Sequence, residues 1–258
     1  MPLKLMYITN SEDVAHIAEE AGVDRIFVDM EYIGKTDRQG GMDTVQSRHT
    51  ADDVRRLAQC LNKSELFVRV NPIHEKTDKY SSSKEEIDEV IEAGADLLML
   101  PYFKTAEEVQ TFVKYVDGRA KTVLLVETPE AAAIAENLVK IPGIDEMFIG
   151  LNDLSLGYGK NFMFELLLDG TVEELCLKFR KGGIPYGFGG IASLGKGMLP
   201  SEYVIKEHYR LGSTCAILSR SFCRTDQVTD LKEIQKIFET ELPKIRQLEE
   251  ECSVHSQY

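Results

Sequence analysis

Eight apolar runs of strand length, each followed by a segment of helical spacing, recur along 258 residues with no linker or shift of composition between them. That pattern predicts a single (β/α)8 barrel with a long C-terminal helix, and the length matches the ~250 residues of such barrels. A further observation is where two acids stand: Glu127 and Asp153 each follow an apolar run as it stops. In parallel sheets the ligand site lies beyond the carboxyl ends of the strands, so both acids are expected at one mouth. A doubly wound open sheet is the alternative architecture.

The first run, LKLMYI at 3–8, leads into a helix that Ser11 caps and Gly22 closes. RIFVDM is the second strand, with Asp29, Glu31 and Tyr32 at its end. From Ile33 to His49 the chain is polar and Gly-rich, too long for an idle connection, and is therefore a candidate active-site loop. Thr50 caps ADDVRRLAQCLN, ELFVRVNP is the third strand with Arg69 near its end, and SSSKEEIDEVIEAGA is a capped helix. LLMLP and TAEEVQTFVKYV make the fourth pair. VLLV at 123–126 and MFIG at 147–150 are the fifth and sixth strands, and Ala131, Ile134, Ala135 and Leu138 between them have helical spacing. Helical turns in MFELLLDGTVEELCLKFRKGG, a strand in IPYGFGG, the helix PSEYVIKEHYRLG and the strand TCAILSRSF complete the eight units. In the last segment Leu231, Ile234, Ile237, Phe238, Leu242, Ile245 and Leu248 form an apolar seam along a long helix. Pro243 is expected to kink that helix and send its second half off the barrel.

A hydrophobic content of 43% supplies a full core, and a net charge of -13 argues against nucleic acid or an anionic membrane as partner. The five cysteines are widely spaced and contain no CxxC, so neither a disulfide frame nor a zinc site is indicated, and a reducing cytoplasm is the expected location. No stretch approaches the ~18 apolar residues of a membrane span.

Each acid alone reads most simply as a solvated strand end or a helix cap. Two of them ending adjacent strands, with Asn152 beside the second, make a site for a hard divalent ion, Mg²⁺ or Mn²⁺, the better reading. Backbone amides at Leu151, Asn152 and Asp153, where a strand end enters a turn, are candidates to receive a substrate carboxylate. Arg69 alternates with Val68 and Val70 and so projects to the opposite side from them.

VETPEA followed by PGIDEMFIGLNDLSLGYG resembles the metal-binding stretch of the metal-dependent pyruvate aldolases. That is the family of 4-hydroxy-2-oxoheptanedioate aldolase, which also contains the citrate lyase beta subunit. AGVDRIFVDMEY resembles its second-strand motif, FVRVNP its arginine strand and IEAGADLLMLPYFKTAEEV its fourth unit, so the likeness runs from about Ala21 to Gly159. The resemblance implies that Glu127 and Asp153 hold the divalent ion, which chelates a 2-oxo acid, and that Arg69 sits over the keto oxygen. A 4-hydroxy-2-oxo acid is then cleaved to pyruvate and an aldehyde through an enolate, whose charge the cation and the guanidinium stabilise. It also implies a homo-oligomer in which the C-terminal segment, 226–258, packs on a neighbouring subunit.

The chain departs from the family at two places. Tyr32 stands where the second-strand motif carries histidine, and Leu125 where relatives often carry glutamine. A tyrosine, with a reference pKa of about 10, accepts a proton poorly at neutral pH. His49 is the candidate substitute, with Asp29 orienting whichever group acts. Gly187 to Gly197, with Lys196 and Arg220, is a candidate second anion site. Two rival functions are an acyl-CoA lyase of the citrate or malyl type, for which the acidic balance offers no basic groove, and a barrel that binds a 2-oxo acid without turnover.

Overall fold

The computed structural model describes residues 1–35 and 47–255. Most of the expected active-site loop, 36–46, thus lies outside the described residues. Eight parallel strands close in sequence order: β1 (Lys4–Ile8), β2 (Arg25–Asp29), β3 (Glu65–Arg69), β4 (Leu97–Leu100), β5 (Lys121–Val126), β6 (Glu146–Ile149), β7 (Tyr186–Ile191) and β8 (Cys215–Leu218). The predicted barrel, rather than the open sheet, is the architecture.

The helices between strands are α1 (Glu12–Glu20), α2 (Ala51–Cys60), α3 (Ser83–Glu92), α4 (Ala106–Val116), α5 (Pro129–Ala133), α6 (Ala135–Leu138), α7 (Leu151–Gly157), α8 (Glu165–Leu168), α9 (Thr171–Lys181) and α10 (Ser201–Leu211), with α11 (Leu231–His255) last. Their starts follow the predicted chemistry: Ser11 accepts from the Val14 amide, and Thr50, Ser82 and Thr105 each form reciprocal capping boxes. The single helix expected at 131–138 is two short ones, broken where Ile134 leaves helical dihedrals.

Strand alternation sorts the core into two layers. Outward-facing residues such as Ile26, Val28, Leu66 and Val68 pack under the helices, while Met6, Phe27, Phe67, Met99, Val123, Leu125 and Phe148 fill the barrel. Below Phe27 and Phe67 the interior is polar. Arg25, 2% exposed, bonds both carboxylate oxygens of Glu146 at 2.7 and 3.0 Å and Glu65 at 3.0 Å, under the ring of Phe67.

The C-terminal helix does not leave the barrel. It runs past Pro243 without interruption and lies between α1 and α10, burying Ile234, Phe238, Leu242 and Ile245. Beyond the proline, Glu249 accepts the Leu3 amide at 2.7 Å and Arg246 donates to the Leu3 carbonyl at 2.8 Å, which ties the second half to the start of β1. The seam is long because it closes the helix ring on the chain's own first and tenth helices.

Behind β7, His208 on α10 is fully buried and stacks on Phe188 at 3.9 Å. Its Nδ1 meets the Ser213 hydroxyl at 2.8 Å, while Nε2 has no hydrogen-bond partner among the described residues. Burial pushes this imidazole down to about 3. An unfolded chain takes up a proton near 6.5 that the folded one refuses, so stability is lost as pH falls through that window. By pH 5 the cost is about 2 kcal/mol. We expect His208→Leu to lose correspondingly less stability between pH 7 and pH 5 in urea unfolding, and equal losses in the two proteins would refute this.

Candidate active site

Side chains that alternate inward along β2 and β3 meet at the carboxyl end of the barrel. Asp29 and Arg69 are register partners, and the guanidinium grips the carboxylate through two bonds, Nε to Oδ1 at 2.8 Å and Nη2 to Oδ2 at 2.7 Å. Lys35, nearly buried, adds a bond to Asp29 at 2.7 Å, and both cations lie within 3.6 Å of Glu31. Burial alone would raise the Asp29 carboxyl; Arg69 and then Lys35 overcome it and hold the group far below the usual carboxylate range. Arg69 pays a desolvation cost that Asp29, Glu31 and Glu127 more than offset, so it stays charged. Lys35 was not singled out by sequence; its one signal is a Gly-Lys pair four residues beyond Glu31 in a polar stretch.

Glu127 follows β5 and is 4% exposed, and its Oε1 accepts the Tyr102 amide at 3.0 Å. Tyr102 reaches that position with φ of 48°, a left-handed conformation that a non-glycine residue holds only when its surroundings impose it. Across from Glu127, Gly150 leaves room for the carboxylate: a Cβ there would lie 2.8 Å from Glu127 Oε2. Gly150 is also the N-cap of α7 and offers no side-chain cap, so the first-turn amides at Leu151, Asn152 and Asp153 have no intrahelical partner. Asp153 is the third residue of that turn and is buried. Gly189, at φ of 51°, admits Leu151 where any side chain would collide with it.

These groups share one cavity of about 260 Å³. Arg69, Glu127, Asn152 and Asp153 are polar members of its wall, and Met99, Leu125, Phe148, Leu151 and Ile217 apolar ones. The structure thus brings together five of the predicted site residues. The donor set fits a hard divalent ion: two acidic oxygen ligands, one held in a notch that a Cβ at position 150 would fill, with space beside them for a chelating small acid. Among the described residues the one tight cluster of three metal-ligating side chains is elsewhere, at His16, Glu19 and Glu20 on α1. Glu19 there is occupied by the amides of Asn62, Lys63 and Ser64.

A second cavity of about 380 Å³ adjoins the first, sharing Arg69, Ile217 and Ser219. Asp29, Lys35, His49 and Arg220 line it, together with Thr9, Asn10, Ser47 and Thr225. His49 therefore reaches the site, and its Nδ1 accepts the Asp29 amide at 3.0 Å. Tyr32 lines neither cavity. It is 45% exposed, its ring lies 5.4 Å from Tyr80, and its amide is pinned by Asn71, whose own amide nitrogen donates to buried Glu86. Burial and then Glu86 push its hydroxyl further up, away from any use as a base at neutral pH. Of the glycine segment from Gly187 to Gly197, Gly189 and Gly190, which lie within β7, line the first cavity, whereas Lys196 is exposed and lines neither.

The sequence profile of the HpcH/HpaI aldolase/citrate lyase family matches residues 4–166. Solved structures share the whole fold. An HpcH/HpaI aldolase from Desulfitobacterium hafniense is 15% identical at a TM-score of 0.65, with 91% of this chain and 93% of that one covered. An HpcH/HpaI aldolase/citrate lyase family protein from Burkholderia cenocepacia is 16% identical at a TM-score of 0.67, covering 91% and 95%. A citrate synthase reaches a TM-score of 0.62 at 16% identity, covering 95% and 94%. No curated protein matches the chain in sequence. With 4–166 of 258 residues under the family's own profile and the barrel closed as its solved members close it, the chain belongs to the HpcH/HpaI aldolase/citrate lyase family.

Proposed function

We infer that the chain is a divalent-metal-dependent aldolase that cleaves a 4-hydroxy-2-oxo acid to pyruvate and an aldehyde, or condenses the two, by way of the pyruvate enolate. The observation that carries this is the meeting of Arg69, Glu127, Asp153 and the uncapped first turn of α7 on the wall of one 260 Å³ cavity. Glu127 and Asp153 are the residues that would hold Mg²⁺ or Mn²⁺. When bound, the ion supplies a Lewis acid that anchors the 2-oxo acid and offsets the negative charge of the enolate.

The protein's own groups do the rest. Arg69 commits Nε and Nη2 to Asp29, and Nη1, which makes no hydrogen bond among the described residues, is the donor left for the keto oxygen as charge develops there. Because Asp29 and Glu31 fix the guanidinium in advance, little reorganisation is needed during the reaction. The first-turn amides of Leu151 and Asn152, which no side chain caps, would receive the substrate carboxylate, and the apolar wall of Met99, Leu125 and Phe148 lowers the local dielectric around the reacting carbons. Tyr32, half exposed against Tyr80, has no part in this scheme.

Five free cysteines suit a reducing cytoplasm, and no described helix is long and apolar enough to cross a membrane. A homo-oligomer would be built through surfaces other than the α11 seam, and exposed Leu168, Met198 and Tyr203 offer apolar contact for one.

The test is exchange of pyruvate methyl protons in D2O, followed by proton NMR with Mg²⁺ or Mn²⁺ present. We expect exchange that stops in chelator and returns with the ion. Binding of pyruvate with no exchange under either ion would instead mark a 2-oxo-acid receptor.

A further inference from the structure

We propose that the second cavity seats the aldehyde, and that His49 holds its carbonyl oxygen there by donating a hydrogen bond from Nε2. This rests on the aldolase reading above and assigns the half of the reaction which that reading left open.

The heavy-atom geometry decides what His49 can do. A backbone N–H has only a proton to give, so the 3.0 Å contact from the Asp29 amide makes Nδ1 an acceptor. In the neutral ring the proton then resides on Nε2. Burial and Lys35 disfavour a second proton, while Asp29 and Asp53 favour it; burial is the largest influence and the group titrates below its ordinary range. The ring is therefore neutral at neutral pH, with one nitrogen spent on the barrel and the other carrying N–H. Nε2 makes no hydrogen bond among the described residues, and His49 lines the cavity. A ring in that state cannot take a proton at Nε2. It can polarise a carbonyl, and it can stabilise the alkoxide as the new carbon–carbon bond forms.

The position of the cavity fits that task. It meets the first cavity at Arg69, so a reactant in the second lies beside an enolate formed in the first. Its volume of about 380 Å³ accommodates an aldehyde of several carbons; beside the apolar Ile8, Ile217 and Leu218 and the charged Lys35 and Arg220, it is lined by the neutral hydrogen-bonding groups of Thr9, Asn10, Ser47 and Thr225. Those groups would lose water without compensation against an alkyl chain and would be satisfied by hydroxyls. The chemical class is a small hydroxylated aldehyde.

Three measurements on the full chain test this. Pyruvate proton exchange reads enolisation without any aldehyde, condensation of pyruvate with glyceraldehyde or propanal reads the second half, and ¹⁵N NMR of the imidazole reads the tautomer. In the wild type we expect glyceraldehyde to be condensed faster than propanal. His49→Asn, which keeps an acceptor for the Asp29 amide but carries no N–H as far as the place of Nε2, should lose condensation by ~10²- to 10³-fold, while exchange falls far less. His49→Gln, which can set an N–H near the place of Nε2, should recover part of that loss.

Equal loss of exchange and condensation in His49→Asn would put His49 on the enolate side and overturn the proposal. Propanal preferred over glyceraldehyde, or neither aldehyde condensed by a wild type that exchanges protons, would overturn the assignment of the cavity. A wild type that fails to exchange protons refutes the aldolase reading itself, which is a separate failure. Should the variants not fold, the spectrum of the wild type decides: Nε2 protonated and Nδ1 bare at pH 7 supports the donor, and the opposite tautomer or a doubly protonated ring rejects it.

Discussion

Glu127→Gln and Asp153→Asn should each give a folded protein whose pyruvate exchange and carbon–carbon cleavage fall on the order of 10³-fold or more. Both substitutions preserve shape. A glutamine oxygen still accepts the Tyr102 amide that Glu127 accepts at 3.0 Å, so the turn after β4 keeps its anchor. What disappears is charge: a neutral amide is a poor ligand for a hard divalent ion, and among the described residues no other pair of acids lines the cavity beside Arg69. After treatment with a chelator, added Mg²⁺ or Mn²⁺ should restore the wild type and neither variant. Arg69→Lys should lose ~10²- to 10³-fold, because an ammonium cannot grip Asp29 through two bonds and present a third N–H to the substrate. Wild-type turnover in metal-free buffer, or an active Glu127→Gln, would remove the basis of the proposed mechanism.

Arg25→Met should be the most destabilising single change at the closed end of the barrel. The side chain lies inside the strand ring, bonds both oxygens of Glu146 and reaches Glu65. Its loss leaves a buried carboxylate with no compensating charge, a change worth ~3–5 kcal/mol, whereas replacing both members of such a pair by apolar groups is often nearly neutral. We therefore expect Arg25→Met to lower the urea midpoint steeply, and Arg25→Met with Glu146→Leu to recover most of the loss. Additive losses in the double variant would mean that the charges contribute independently.

The barrel was legible because its signals are local. Apolar runs of strand length, a Ser or Thr cap before each helix from α1 to α4 and glycines after several helices each require only neighbouring residues to be read. Glu127 and Asp153 were legible for the same reason, as acids at strand ends, and Arg69 because strand alternation turns it inward. The rest depends on contacts between distant residues. His49 meets Asp29 across 20 residues of sequence, Asn71 pins Tyr32 across 39, and nothing in either local stretch announces the partner. The proline in α11 misled in a different way: a kink can be inferred from sequence, but the anchoring of Glu249 to Leu3, 246 residues away, determines where the helix goes.

Asp29 is a junction at which separate parts of the chain are held to one residue. Arg69 and Lys35 bond its carboxylate, and its amide donates to His49. Arg69 lines both cavities while Lys35 and His49 line the second, so a displacement of Asp29 would disturb the positions of both reactants at once.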